Sequence, residues 1–299
     1  MQFAIEKLFF IYRSFNQILV FRGTMSKPRV VHFLGGLSGI GEDLIYKLVC
    51  NNNRCSIVDT WYDLFVSRMS TELEIFSEKP FLFNPDLVNS NDLLLFFALD
   101  EKTVDIDRLA GIDCDVIILM NGDSPIDIQD ARPNLIYIHD LISYSELGSL
   151  ANKNLDELFD LCISNAEDFN FPSDKKHWWI SQQDVAAGLV RLIDYTTPLP
   201  QLMHICGRRG WTNHDTFEQL ELLYSRTIAG SSGQFQTSHL ESKPVIHPTV
   251  AKVSQITPLT RPDLSIINEV LVQIDGEGWR PLTPLRTSLM HYLATKGLD

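Results

Sequence analysis

Residues 30–41 read Val-Val-His-Phe-Leu-Gly-Gly-Leu-Ser-Gly-Ile-Gly, an apolar run breaking into a glycine-rich turn, and an amphipathic stretch from Glu42 to Cys50 follows directly. That is the order of a buried strand, a tight turn and a helix. Glycines adopt backbone angles closed to other residues and let a ligand approach the main chain; a helix starting there offers unpaired N–H groups and the positive end of its dipole. Such a turn suits a pyrophosphate, so a dinucleotide is the ligand class it implies. The spacing Gly35-x-x-x-Gly39-x-Gly41 is not Gly-x-Gly-x-x-Gly, so the flanking elements carry the reading. A second apolar run, Cys55 to Val58, ends in Asp59, where a carboxylate can accept adenosine ribose hydroxyls and favours NAD over NADP. The residues assigned to the dinucleotide at the turn are Gly35, Leu37, Ser38, Gly39, Ile40 and Gly41, with Asp59. The alternative is an ordinary strand-to-helix turn followed by a loop aspartate.

Outward from the turn, apolar runs at 29–34, 55–58, 80–83, 115–120 and 135–139 are separated by segments of helical spacing. The alternation predicts an α/β, Rossmann-type doubly wound parallel sheet of about seven strands covered by helices. A dinucleotide-binding part over 25–195 and a small substrate-binding part over 196–299 are expected, with some strands of the latter free to return to the sheet. The run 115–120 is apolar throughout, as a central strand should be, which places Asn121 and Gly122 at the crevice. Residues 1–24 mix Phe, Ile, Leu and Val with Glu6, Lys7 and Arg13 and hold no unbroken span long enough for a membrane. They read as an over-called start or a peripheral amphipathic helix.

Composition narrows the class. With 299 residues, 44% apolar and 21% charged, the chain is an ordinary globular protein. A net charge of −13 argues against nucleic-acid binding, which needs clustered Lys and Arg. Five cysteines without Cys-x-x-Cys or zinc spacing point to a reduced, cytoplasmic protein with no structural metal.

Several segments, in order, resemble the short-chain dehydrogenase/reductase superfamily, in its extended branch of nucleotide-sugar epimerases and dehydratases. Leu34 to Gly41 is similar to that family's Thr-Gly-x-x-x-Gly-Ile-Gly turn, and 84–93 resembles its Asp-Leu segment beside the adenine, which implies Asp86 and Leu87 as adenine-side residues. Residues 134–145 resemble the family's fifth strand, 161–172 its sixth, and 178–194 its hydrophobic-Val-x-Asp-Val-Ala helix. Residues 201–220, Arg261-Pro-Asp263 and Gly278-Trp-Arg-Pro281 are similar to later signatures. The resemblance implies NAD as cofactor, a nucleotide-sugar-like ligand, and Arg261, with Arg208, as candidates for its diphosphate. An oligomer is compatible with it, although the helix that builds the family's dimer looks shortened.

Hydride transfer in that family needs a tyrosine whose phenol is made acidic by a lysine one helical turn on. Here Tyr144 leads to Gly148, Tyr137 leads to Leu141, and the one Tyr-x-x-x-Lys is Tyr292 to Lys296, close to the C-terminus. Only 16 residues separate Tyr144 from Leu161. The most capable replacements are His139 and Asp140 at a strand end, although neighbours on an extended strand face opposite ways. Trp178 and Trp179 are expected in the core, and Asp184 is expected to cap a helix starting at Val185. The catalytic residues are thus unknown. The functional expectation is a catalytically degenerate NAD(P)-binding protein serving as a binding or scaffold module; the alternative is an active NAD-dependent epimerase, dehydratase or reductase using other groups.

Overall fold

The computed structural model describes residues 29–37, 39–99, 109, 112–122, 133–144, 152–164, 176–193, 195, 198–240 and 261–297. The extension over 1–24 and Ser38 lie outside them.

Strand β1 (Val30–Gly35) enters the glycine turn, and helix α1 (Ile40–Cys50) leaves it. Then come β2 (Arg54–Ile57), α2 (Asp59–Arg68), the short α3 (Ser70–Leu73), β3 (Phe81–Leu82), β4 (Leu93–Ala98), β5 (Asp115–Asn121) and β6 (Asn134–Ile138). Beyond β6 lie β7 (Leu141–Ile142), α4 (Lys153–Ser164), β8 (Lys176–His177), β9 (Ile180–Ser181) and α5 (Gln182–Ile193). The chain continues through β10 (Leu202–Ile205), β11 (Trp211–Thr212), α6 (Asn213–Ser231), α7 (Ser265–Asp275) and α8 (Leu285–Ala294). Seven strands form one parallel sheet in the order β10-β6-β5-β4-β1-β2-β3. The winding direction reverses between β1 and β4, and a doubly wound sheet opens its crevice at that switch, beyond the carboxyl ends of the strands.

Two features differ from the sequence reading. Strand β4, Leu-Leu-Leu-Phe-Phe-Ala, was not among the expected strands, yet it is the neighbour of β1 and all six residues are buried. Its alternate side chains enter opposite cores, Leu93, Leu95 and Phe97 on one face and Leu94, Phe96 and Ala98 on the other. A strand buried on both faces has no period-two signal and cannot be told from a helix by pattern. Consequently 134–138 is the sixth strand among the described residues, not the fifth. The second correction concerns the start of 161–172: residues 161–164 are the last turn of α4, not a strand, and 165–172 lie outside the described residues. That helix buries Leu155, Leu158, Phe159 and Cys162, a helical spacing that a four-residue window could not display.

One sheet face is covered by α1 and α5, which pack side by side, and by α7. Gly188 in α5 leaves the space that the Trp279 ring fills, and the indole N–H donates to the Cys206 carbonyl at 2.9 Å. A second core joins α4, α6 and α8 through Leu155, Phe159, Trp179, Leu220, Leu289 and Tyr292. Among the described residues no helix is long and apolar enough to cross a membrane.

A polar network sits inside this apolar sheet. His32, buried in β1, holds the Ser56 hydroxyl at 2.7 Å and Asp92 at 3.3 Å, and Asp92 also accepts from the amides of Val30 and Asn89. Burial lowers the His32 pKa, with Asp92 opposing. For Asp92, burial acts upward but is outweighed by the bonds from Asn89, Val30 and His32, so its pKa lies below the usual value. A histidine whose folded pKa is depressed takes up its proton more readily when unfolded, so stability falls as pH drops through about 6.5. Burial depresses His139 and His204 as well, so they add to the same limb. The Asp92 contribution is present above about pH 3.9 and is lost below it. Urea unfolding should therefore show stability declining from pH 7.5 to 5.5, with a further loss below pH 4; a rise over the first interval would contradict the assignment of neutral, buried histidines.

Candidate functional site

At the carboxyl edge of β1 the turn is built by contact. Gly35 has φ of +84°, and a Cβ there would stand 2.3 Å from the Phe97 carbonyl oxygen, because β1 and β4 are paired at that point. Gly39 has φ of +52°, and a Cβ there would meet Gln182 Oε1 at 2.4 Å and Ser143 Oγ at 2.5 Å. Gly41 lies against Leu37. Gly36 alone faces open space, with nothing within 4 Å of a built Cβ. Leu37 and Ile40 are buried in the core, so only their main chain can meet a ligand.

Helix α1 starts without a side-chain cap, which leaves its first N–H groups for an anion. Two acids in its first turn would oppose that use, and both are diverted. Glu42 pairs with Arg68 at 2.9 Å. Asp43 accepts from the Gln182 amide at 3.1 Å, and burial raises its pKa above the usual carboxylate value. Gln182 Oε1 in turn accepts from the Tyr144 amide at 2.8 Å and from Ser143 Oγ at 3.2 Å. Residue 182 thereby ties α5, α1 and the segment after β7 together beside the turn. No sequence signal marked Gln182, Ser143 or Asp43.

Asp59 opens α2 just beyond the carboxyl end of β2, exposed, and accepts from the Thr60 amide at 2.8 Å. Asp86 and Leu87 form a single 3-10 turn after β3, both exposed, with the Asn84 side chain accepting from the Asp86 amide at 3.0 Å. Asn121 and Gly122 end β5, with β4 standing between them and β1. Gly122 makes room for another group: a Cβ there would lie 2.2 Å from His139 Nδ1.

His139 and Asp140 are separated by the fold. His139 Nε2 lies 3.0 Å from His204 Nδ1, and burial first, then His204, lowers its pKa to about 4. Asp140 is neither solvated nor aimed at the crevice: it is buried, has φ of +48°, and its two oxygens bind His177 Nδ1 at 2.6 Å and the Trp178 amide at 2.7 Å. His177 stacks on Trp179, and its Nε2 lies 3.0 Å from Asn213 Oδ1. Asp184 does not cap α5, which begins at Gln182; its carboxylate accepts instead from the amides of Leu282 and Thr283.

Tyr292, of the one Tyr-x-x-x-Lys, is buried in the second core. Its hydroxyl donates to Asp156 at 2.5 Å, and Lys296 reaches the same carboxylate at 2.7 Å. Burial, then Asp156, drives the phenol pKa far above its ordinary value, the reverse of what a base requires. With the strands correctly numbered, the segment between the fifth and sixth is 122–133, Gly-Asp-Ser-Pro-Ile-Asp-Ile-Gln-Asp-Ala-Arg-Pro, which contains neither tyrosine nor lysine. Arg208 lines a cleft beside α8, whereas Arg261 stands outside it, close enough to Cys206 and Asp263 to affect their titration. Among the described residues no cluster of His, Cys, Asp and Glu would hold a metal ion.

No protein-family model matches the sequence, and a search of curated proteins finds no relative. Solved structures do share the fold. The chain is similar to UDP-glucuronic acid 4-epimerase from Bacillus cereus, crystallised with UDP-glucuronic acid and NAD, at 12% identity and a TM-score of 0.53 over 90% of this chain and 100% of that one. It is also similar to the reductase domain of the aureusimine biosynthetic cluster, at 13% identity and a TM-score of 0.51 over 91% and 90%.

Proposed function

We propose that this chain binds NAD in preference to NADP at the glycine turn, performs no hydride transfer of the tyrosine–lysine kind, and serves as a ligand-binding or scaffold module. The observation that carries it is the pairing of a preserved turn with a segment 122–133 that lacks both tyrosine and lysine. The uncapped start of α1, open Gly36 and exposed Asp59 supply, in order, N–H groups for a pyrophosphate, main-chain access and a ribose acceptor. Residues Asp86 and Leu87 are the adenine-side candidates. The epimerase that shares the fold was crystallised with NAD and a UDP-sugar, which supports this cofactor and a nucleotide-sugar-like ligand for the crevice, with Arg261 as the diphosphate candidate.

Calorimetric titration with NAD(H) and NADP(H) tests the reading. Gly36→Asp is the clean variant, because it adds a charge in open space, whereas substitution of Gly35 or Gly39 also collides with the protein. The expected result is NAD binding at about micromolar affinity or better, abolished in Gly36→Asp with the unfolding midpoint unchanged. Absence of binding to the unaltered chain would overturn the cofactor assignment. NAD-dependent conversion of a UDP-, GDP- or dTDP-sugar would instead establish an active enzyme, with His139 the first residue to replace.

A further inference from the structure

We infer that a cavity at the amino edge of the sheet, at the opposite end from the glycine turn, binds a small neutral molecule that presents a carboxamide or lactam edge. The cavity has a volume of about 210 Å³. Its polar lining comes from strand starts: Arg29 stands just before β1, Asp115 is the first residue of β5 and Asn134 the first of β6. Its apolar walls include Leu93, Ile117 and Leu192, from β4, β5 and α5. A strand rises about 3.3 Å per residue, so the run of β1 puts roughly 20 Å between Arg29 and the turn. The inference therefore stands without the cofactor reading.

Two side chains bring complementary polar atoms to this cavity. Arg29 Nη2 donates to Asp115 at 2.6 Å, and Arg29 makes no other hydrogen bond among the described residues. Its Nε is, among those residues, the one buried side-chain nitrogen or oxygen without a partner. A guanidinium carries its N–H donors in a rigid fork, and a buried donor left unmatched destabilises the fold that holds it. Asn134 offers the opposite function. Its Nδ2 donates to the carbonyls of Leu199 and Pro200 at 3.0 and 3.1 Å, which fixes the amide and leaves Oδ1 as an acceptor. Tyr195 contributes a ring and no donor, because its hydroxyl is committed to Gln273 at 2.7 Å.

Charge then selects the guest. Asp115 balances Arg29, so the lining holds neither an uncompensated cation for an anion nor an uncompensated carboxylate for an amine. A donor fork beside an acceptor matches C=O and N–H side by side, the edge of a primary carboxamide or a lactam. Ligand pockets usually enclose about 300–1,000 Å³, so this smaller cavity takes a single ring with its amide. Leu, Ile and Tyr walls suit a flat apolar body.

The test is ligand-observed NMR titration of the full chain with benzamide, and with benzoate as its charged counterpart. Benzamide is expected to bind at about millimolar affinity or tighter, and benzoate at least about tenfold more weakly. Arg29→Lys keeps a cation for Asp115 and loses the fork. It should bind benzamide at least about tenfold more weakly, the effect of losing one hydrogen bond from a charged donor, with the unfolding midpoint unchanged. Arg29→Met should weaken binding as much, which gives a second readout if the lysine variant folds poorly. The inference is overturned if the unaltered chain does not bind benzamide at roughly ten millimolar, if both variants bind it as the unaltered chain does, or if benzoate binds as well as benzamide. Gly36→Asp should leave benzamide binding unchanged; loss in that variant would put the amide at the glycine turn and overturn the inference too. Failure of NAD to bind would leave all these outcomes intact.

Discussion

Asp140→Ala should lower the free energy of unfolding by about 3–5 kcal/mol, from two buried donors left without an acceptor together with left-handed backbone strain. Three losses coincide in that substitution. His177, buried against Trp179, loses the acceptor at its Nδ1; the Trp178 amide loses its acceptor; and alanine inherits a φ of +48°. An unpaired buried donor costs about 1–3 kcal/mol, and the left-handed conformation about 1–2 kcal/mol for a residue other than glycine, asparagine or aspartate. Asp140→Asn should lose less, since asparagine tolerates the backbone angle and its carbonyl can still accept from one donor. Urea unfolding near pH 7.5 measures both. A loss below about 1 kcal/mol for the alanine variant would mean that Asp140 does not clamp the 177–180 segment to the end of β6, and its role as a reacting group would need to be reopened.

Gly35→Ala should be comparably damaging, by about 3 kcal/mol or more, from left-handed strain together with overpacking. The clash is with the backbone of Phe97, whose oxygen, carbon and nitrogen would stand 2.3, 3.0 and 3.0 Å from the new methyl group. A flexible side chain could swing away, but the main chain of a central strand cannot move without opening the β1–β4 ladder. Gly36→Ala, one residue on, should stay within about 0.5 kcal/mol of the unaltered chain, because nothing occupies that space. Equal effects at 35 and 36 would show that the turn is looser than the strand pairing implies.

Reading the sequence located β1, the glycine turn, α1, β2 and Asp59 because each carries a local signal: an apolar run, glycines at turn spacing, helical periodicity and an acid after a strand. It also found that the tyrosine and lysine of the expected chemistry were absent, since absence of a spacing is a property of the chain alone. Strand β4 escaped because burial on both faces removes alternation. From that omission followed the misnumbered later strands.

The sequence by itself determined the class of fold, the position of the glycine turn and the lack of any Tyr-x-x-x-Lys other than Tyr292 to Lys296, all consequences of short-range pattern. Tertiary structure alone decided which residues share a space. Gln182 meets Asp43 across 139 residues, Asp140 turns to His177 and away from His139, Tyr292 is committed to Asp156, and Arg208 and Arg286 converge on one cleft. The physical reason is that such pairings depend on strand order and helix packing, which follow from burial summed over the whole chain, whereas a local stretch encodes only its own period and its own turn.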